Sequence, residues 1–221
     1  MKKSLYLFLF AVLTCSAADK LNVSFARGKW DQNLFQFVKS PRFAMNGAII
    51  QQDDHIVNRV PDNLTEKQLL SSPDAYCALL TKDKFSGNIT ISSKMSFDHL
   101  MAPLIVIAPE LGRSADGKNP ELRDHYEIVI FYQGINVWHH RYINGQPSWY
   151  KLAYMRTELK PKTVYDLQVT LRHTKKGVQM IIKCDGKEFG CAMPVEFTAK
   201  DYFAGIIACE GVNRFYDFRI Q

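Results

Sequence analysis

The side chains best suited to chemistry crowd one stretch of this 221-residue chain: Tyr132, Trp138, Tyr142, Trp149, Tyr150 and Tyr154, with His139 and His140 among them and two of the three tryptophans included. Flat indole and phenol rings stack on the apolar C–H faces of sugars, while amide, imidazole and ammonium groups beside them hydrogen-bond hydroxyls. Asn144-Gly145 is a hairpin turn signal, and a two-residue turn there pairs Tyr142 with Pro147, His140 with Trp149, Trp138 with Lys151 and Asn136 with Ala153. Side chains alternate along a strand, so one face carries Asn136, Trp138, His140, Tyr142, Trp149 and Lys151. The other carries Ile135, Val137, Tyr150, Leu152 and Tyr154, with His139 and Arg141 nearer the turn. The second face reads as core and the first as a wet aromatic platform, the expected ligand-binding set. Two other uses of the same rings stay open: a cap on a second apolar layer under a loop, and a subunit interface, where Trp, Tyr and Arg are also enriched.

Acid–base chemistry has candidates but no fixed pair. Hydrolysis of a glycosidic bond wants two facing carboxylates, for which Glu110, Asp124 and Glu127 are available. Eliminative cleavage of a uronate wants a Tyr or His base beside a cation, for which His140, Tyr142 and Arg156 are available, and Lys151 with Arg156 would attract an acidic sugar. Adjacent strand residues point to opposite faces, so His139 and His140 cannot chelate one ion together. Asp53-Asp54-His55 and the acids between Asp116 and Glu121 lack the spacing of a calcium loop. No metal site, phosphate loop, dinucleotide fingerprint or Gly-x-Ser-x-Gly elbow is read, and no cofactor is expected.

The elements that must position these residues are strands. Residues 165–172 are apolar at every odd position and polar at every even one, the pattern of a half-buried strand. Similar runs occur at 34–38, 47–51, 76–80, 88–97, 104–108, 126–132, 135–142, 149–155, 178–184, 205–209 and 214–220. About a dozen strands and almost no helix imply one antiparallel jelly-roll sandwich, an all-β fold. The single helix-start signature is Leu64–Leu70, opened by Asn63 with Glu66 three residues on. Loops are expected at 52–65 and 109–123. A second turn, Asp185-Gly186, pairs Cys184 with Lys187, Ile182 with Phe189 and Met180 with Cys191. Cys184 and Cys191 then share a face about 13 Å apart, beyond a disulfide's reach of about 7 Å.

Lys2 and Lys3, the apolar run Leu5–Leu13 and the small residues Ser16, Ala17 and Ala18 read as a secretory signal peptide over residues 1–18, leaving one domain over 19–221. Val12-Leu13-Thr14-Cys15 also resembles a bacterial lipobox, in which Cys15 would carry a lipid anchor, the only membrane attachment expected. The product would be exported, in the periplasm, on the outer membrane or outside the cell. Without Lys2 and Lys3 the balance is 26 basic to 22 acidic residues, a net +4 that argues against a dedicated nucleic-acid binder. Four cysteines, 77, 184, 191 and 209, remain after cleavage, and their pairing stays open.

The run His125–His140, the Asp185-Gly186-Lys187 hairpin and the ending Tyr202–Ile220, with its Ala204-Gly205-Ile206 and Tyr216-Asp217-Phe218, resemble the concanavalin A-like lectin/glucanase superfamily. Within it the chain most resembles exported bacterial families, those of the 3-keto-disaccharide hydrolase type and uncharacterised relatives among them. The resemblance covers about residues 21–221 and implies a jelly roll with a carbohydrate ligand on its concave sheet. It carries no catalytic residue across, so hydrolase, lyase and lectin remain open beside a non-catalytic interaction sandwich.

Overall fold

The structure is a computed structural model that describes residues 20–43, 47–62, 64–69 and 75–221. The leader over 1–18, Cys15 included, lies outside the described residues, as does Asn63. In chain order the strands are β1 (Leu21–Ser24), β2 (Phe35–Val38), β3 (Ile49–Gln51), β4 (Ile56–Asn58), β5 (Cys77–Thr81), β6 (Phe85–Ser86) and β7 (Ile89–Phe97). Then follow β8 (Met101–Ala108), β9 (Leu111–Arg113), β10 (Pro120–Leu122), β11 (His125–Phe131), β12 (Gly134–Ile143) and β13 (Gln146–Arg156). The last six are β14 (Tyr165–Thr174), β15 (Gly177–Cys184), β16 (Lys187–Ala192), β17 (Asp201–Ala208), β18 (Asn213–Phe215) and β19 (Asp217–Ile220). Each of the expected dozen runs carries strand, with 214–220 split at Tyr216 into β18 and β19, and most of the surplus is strands of two to four residues, too short for a period of two to register.

Two antiparallel sheets face each other. One runs β16-β15-β14-β7-β18-β4-β3 with β19 and β1 alongside; the other runs β13-β12-β11-β8-β17-β5-β2 with β6 on β17. Alternation fills the space between them, Ile91, Leu167, Val169 and Leu171 from the first sheet meeting Ile105, Ile107, Ile128 and Ile130 from the second, all fully buried. The outer face of the second sheet is also apolar: Leu104, Val106, Val129 and Ile207 carry a second layer completed by Val38, Tyr76 and Leu122. The hairpin β9–β10 and a bridge between Lys39 and Glu121 tie that layer down, so part of the expected 109–123 loop is paired strand. Strand β11 is covered on both sides and buried along its whole length, polar residues included.

Both sequence-predicted turns form. Asn144 and Gly145 (φ 51° and 76°) and Asp185 and Gly186 (φ 51° and 71°) adopt the left-handed pair of a type I′ turn. Cys184 pairs with Lys187 and Cys191 with Met180, as expected, and the four cysteines among the described residues, 77, 184, 191 and 209, are free thiols. One register departs from expectation. Trp138 pairs with Lys151 but Val137 pairs with Ala153, leaving Leu152 as a bulge, so Asn136 faces Tyr154 instead of Ala153. The extra residue flips Tyr154 onto the platform face, where its ring lies under the Lys151 ammonium, 5.1 Å away. Tyr154 is therefore not core. The helix also starts later than expected: α1 (Glu66–Leu69) is one turn whose opening box is Thr65 and Gln68. Gln68 N donates to Thr65 Oγ1 (3.3 Å) and Thr65 N donates to Gln68 Oε1 (2.9 Å). No helix among the described residues is long and apolar enough to cross a membrane.

Candidate functional site

Strand alternation and one tight turn assemble the site. Residues 125, 127, 129 and 131 of β11 and 136, 138 and 140 of β12 share the outer face of the eight-stranded sheet. The turn at Tyr132-Gln133 sets the register, so that His125 lies opposite His140, Glu127 opposite Trp138 and Val129 opposite Asn136. Gly134 closes that turn at φ 148°, where a Cβ would strike the Met155 carbonyl oxygen at 2.1 Å, so only glycine lets β12 approach β13 there. Together with Ala102 and Leu104 of β8, Trp149 of β13, Arg42, Cys209 and Glu210, all of these residues except His125 line a groove of about 290 Å³, and His125 lies behind its floor against Glu127. That is the small end of the roughly 300–1,000 Å³ usual for small-molecule sites.

The floor is polar and buried. Glu127 lies between two imidazoles, its Oε1 3.2 Å from His125 Nε2 and its Oε2 3.1 Å from His140 Nε2, with all three side chains no more than 8% exposed. The His125 and His140 rings stack at 4.6 Å. Burial alone would push the Glu127 carboxyl up, but the charge of His140 and the hydrogen bonds of both histidines outweigh it and hold it well below the usual carboxylate range. Glu210, at the rim, goes the other way: burial raises its carboxyl, the Glu127 charge adds to this, and Arg42 opposes it. Thus the two acids of one groove are shifted in opposite directions. Asn136 presents a buried Oδ1 with no hydrogen-bond partner. An unmet acceptor facing a groove is a ready partner for a hydroxyl.

The wall is aromatic and cationic. Trp149 is 50% exposed, stacks toward His140 at 6.2 Å and has the Arg42 guanidinium over its ring at 5.2 Å. Trp138 is partly buried against the second apolar layer and capped by Lys151 at 5.1 Å, so it serves both as groove wall and as cover for that layer.

Of the six residues expected to bind ligand, Asn136, Trp138, His140 and Trp149 line the groove. Lys151 sits over Trp138 and Tyr154 at its edge. Tyr142 lies further toward the turn under Arg123 at 5.2 Å, its phenol pushed up to about 12 by burial, and does not line the groove. His139 points to the opposite face, stacked on Tyr126 at 4.2 Å. Among the acid–base candidates, Glu127 and His140 meet. Arg156 is exposed and outside the lining. Glu110 and Asp124 line a separate depression with Tyr126, His139 and Glu196. Sequence reasoning missed His125, Arg42, Phe131 and Glu210. His125 was readable, two residues before Glu127 in a strand and opposite His140 once a turn is set at Tyr132-Gln133. Arg42 and Glu210 arrive from distant loops and leave no local signal.

No protein-family model matches the chain, and no curated protein matches it in sequence. Among solved structures the fold is similar to a legume lectin-like domain from Entamoeba histolytica, with TM-score 0.57, 14% identity, and 93% of this chain and 98% of that one covered. It is similar to the carbohydrate binding module CBM66 from Bacillus subtilis (0.53; 12%; 85% and 95%) and to a Lotus tetragonolobus seed lectin (0.57; 7%; 91% and 96%). The chain has the jelly-roll sandwich of the concanavalin A-like lectins and glucanases. At these identities the likeness is one of fold, and the chemistry must be argued from the groove.

Proposed function

We propose that this protein binds a glycan in the groove on the outer face of the eight-stranded sheet and that, with its leader removed, it does so outside the cytoplasm. The observation that carries the reading is the composition of that one recess. A half-exposed indole and a capped one form its wall, and the buried, unpartnered Asn136 Oδ1 and the Glu127 carboxylate form its floor. Sugar rings need this pairing of stacking surface and fixed hydrogen-bond groups. Arg42 and Lys151 at the rim favour a sugar bearing a carboxylate or other anionic group. The structural neighbours described as lectins and as a carbohydrate binding module lend support at the level of fold. A subunit interface would ask for a flat apolar face, whereas the polar groups here sit at the bottom of a recess.

The test is a panel of neutral and uronate-containing polysaccharides, followed by tryptophan fluorescence, new reducing ends and the ultraviolet absorbance of unsaturated products. A fluorescence change with at least one polysaccharide is expected. New reducing ends would add cleavage to binding, and the absorbance would separate elimination from hydrolysis. Silence across the panel would overturn the reading in favour of an interaction sandwich.

A further inference from the structure

The groove floor has a second property that glycan binding alone does not require. His125 Nδ1 lies 2.5 Å from the Arg123 carbonyl oxygen. A carbonyl oxygen only accepts, so Nδ1 carries the proton and donates it, and in the neutral ring Nε2 is left with a bare lone pair. That lone pair faces Glu127 Oε1 at 3.2 Å, itself an acceptor, and His140 Nε2 faces the other carboxylate oxygen at 3.1 Å. Two acceptors at this distance need positive charge between them, either an extra proton on the imidazole or a cation. A buried imidazole whose far nitrogen donates to a backbone carbonyl is also the arrangement that orients histidines toward metals.

We propose that His125, Glu127 and His140 hold one divalent transition-metal cation at the floor of the groove, with its open coordination positions turned toward the ligand. The three donors lie within 4.8 Å of one another and are all buried. For a metal about 2.1 Å from each atom and reached by both carboxylate oxygens, the separations of His125 Nε2 from Oε1 (3.2 Å) and of His140 Nε2 from Oε2 (3.1 Å) correspond to angles of roughly 95–100° at the ion, between octahedral and tetrahedral values. Two imidazoles and one carboxylate suit zinc, manganese, iron, cobalt or nickel better than calcium or magnesium, which prefer all-oxygen shells. The imidazole planes are only 11° apart, so their lone pairs run nearly parallel, and a bound ion would tilt the two Nε2 atoms toward each other. Three protein ligands leave coordination positions free, and in this groove they would take adjacent hydroxyl oxygens of a sugar ring. What the free positions bind rests on the glycan reading; occupation by the metal does not.

The experiment titrates chelator-stripped full-length protein with Zn²⁺ by calorimetry and with Co²⁺ by visible absorbance, without any glycan. One ion per chain is expected, with d–d bands of a nitrogen–oxygen shell for Co²⁺ and a melting temperature raised by Zn²⁺. His140→Ala and Glu127→Gln should each weaken binding at least tenfold. Should either variant fail to fold, imidazole nitrogen resonances of the wild type keep the proposal decidable: Zn²⁺ should move those of His125 and His140 and leave His55, His99 and His173 in place. Absence of saturable binding by both ions overturns the proposal, as does affinity unchanged in both folded variants or a shift confined to the other histidines. Failure of the polysaccharide panel would leave these results untouched, so the two readings fail separately.

Discussion

Trp149→Ala is the substitution expected to cost the groove its ligand while sparing the fold. Trp149 stands on β13, the edge strand of its sheet, with half of its surface exposed. A tryptophan offers up to about 250 Å², so about 120 Å² is free for a sugar to cover. At about 25 cal/mol per Å² that contact is worth about 3 kcal/mol, or about a hundredfold in Kd. The buried half sets a similar ceiling on the folding side, lowered because unfolded chains already hide part of their apolar surface. Over a domain of this size the melting temperature should fall by no more than about 5–10 °C. Calorimetric titration with the best ligand from the panel measures the first quantity and a circular-dichroism melt the second. An affinity within threefold of wild type, in a variant that melts normally, would refute the assignment of Trp149 to the ligand surface; loss of the fold would show that the ring is core.

Other outcomes follow from the packing. Gly205 of β17 lies opposite Leu80 of β5, and a Cβ there would meet the Leu79 carbonyl oxygen at 2.2 Å, so Gly205→Ala should cost about 2–3 kcal/mol, visible as a lowered denaturant midpoint. Burial pushes the thiols of Cys77 and Cys184 up to about 12 and that of Cys191 to about 11, and raises that of Cys209 well above the ordinary thiol value. A thiol reagent at neutral pH should therefore react with these four only after denaturation, and dithiothreitol should leave the melting temperature unchanged. Asp98 is gripped by both Arg214 nitrogens, Nη2 donating to Oδ2 at 2.9 Å, and this holds its carboxyl below the ordinary value. A depressed carboxyl adds stability above its unfolded pKa of about 3.9 and loses it as pH falls through the folded value. Asp98→Asn should therefore cost about 1 kcal/mol at pH 7 in urea unfolding, a gap that closes in strong acid.

The strands were legible because a half-buried strand writes its period of two into the chain, as residues 165–172 do, and because Asn144-Gly145 and Asp185-Gly186 fix hairpin register through left-handed backbone. The platform face followed from that register. The bulge at Leu152 was not legible, since a two-against-one pairing depends on local twist and not on polarity, and Tyr154 changed faces with it. The groove floor was half visible. Glu127 and His140 stood out as isolated candidates, but their meeting depends on β11 and β12 being neighbours, and Glu127's burial depends on a second apolar layer built by Val38, Tyr76 and Leu122 from far along the chain. Arg42 and Glu210 reach the groove only through tertiary structure.

The most direct test of the central claim is a crystal structure with the oligosaccharide that gives the strongest fluorescence change. The groove account predicts a sugar ring against Trp149, with one hydroxyl donating to Asn136 Oδ1 and another over the Glu127 carboxylate. A sugar bound at the loops closing the ends of the sandwich, with the groove left to solvent, would contradict it.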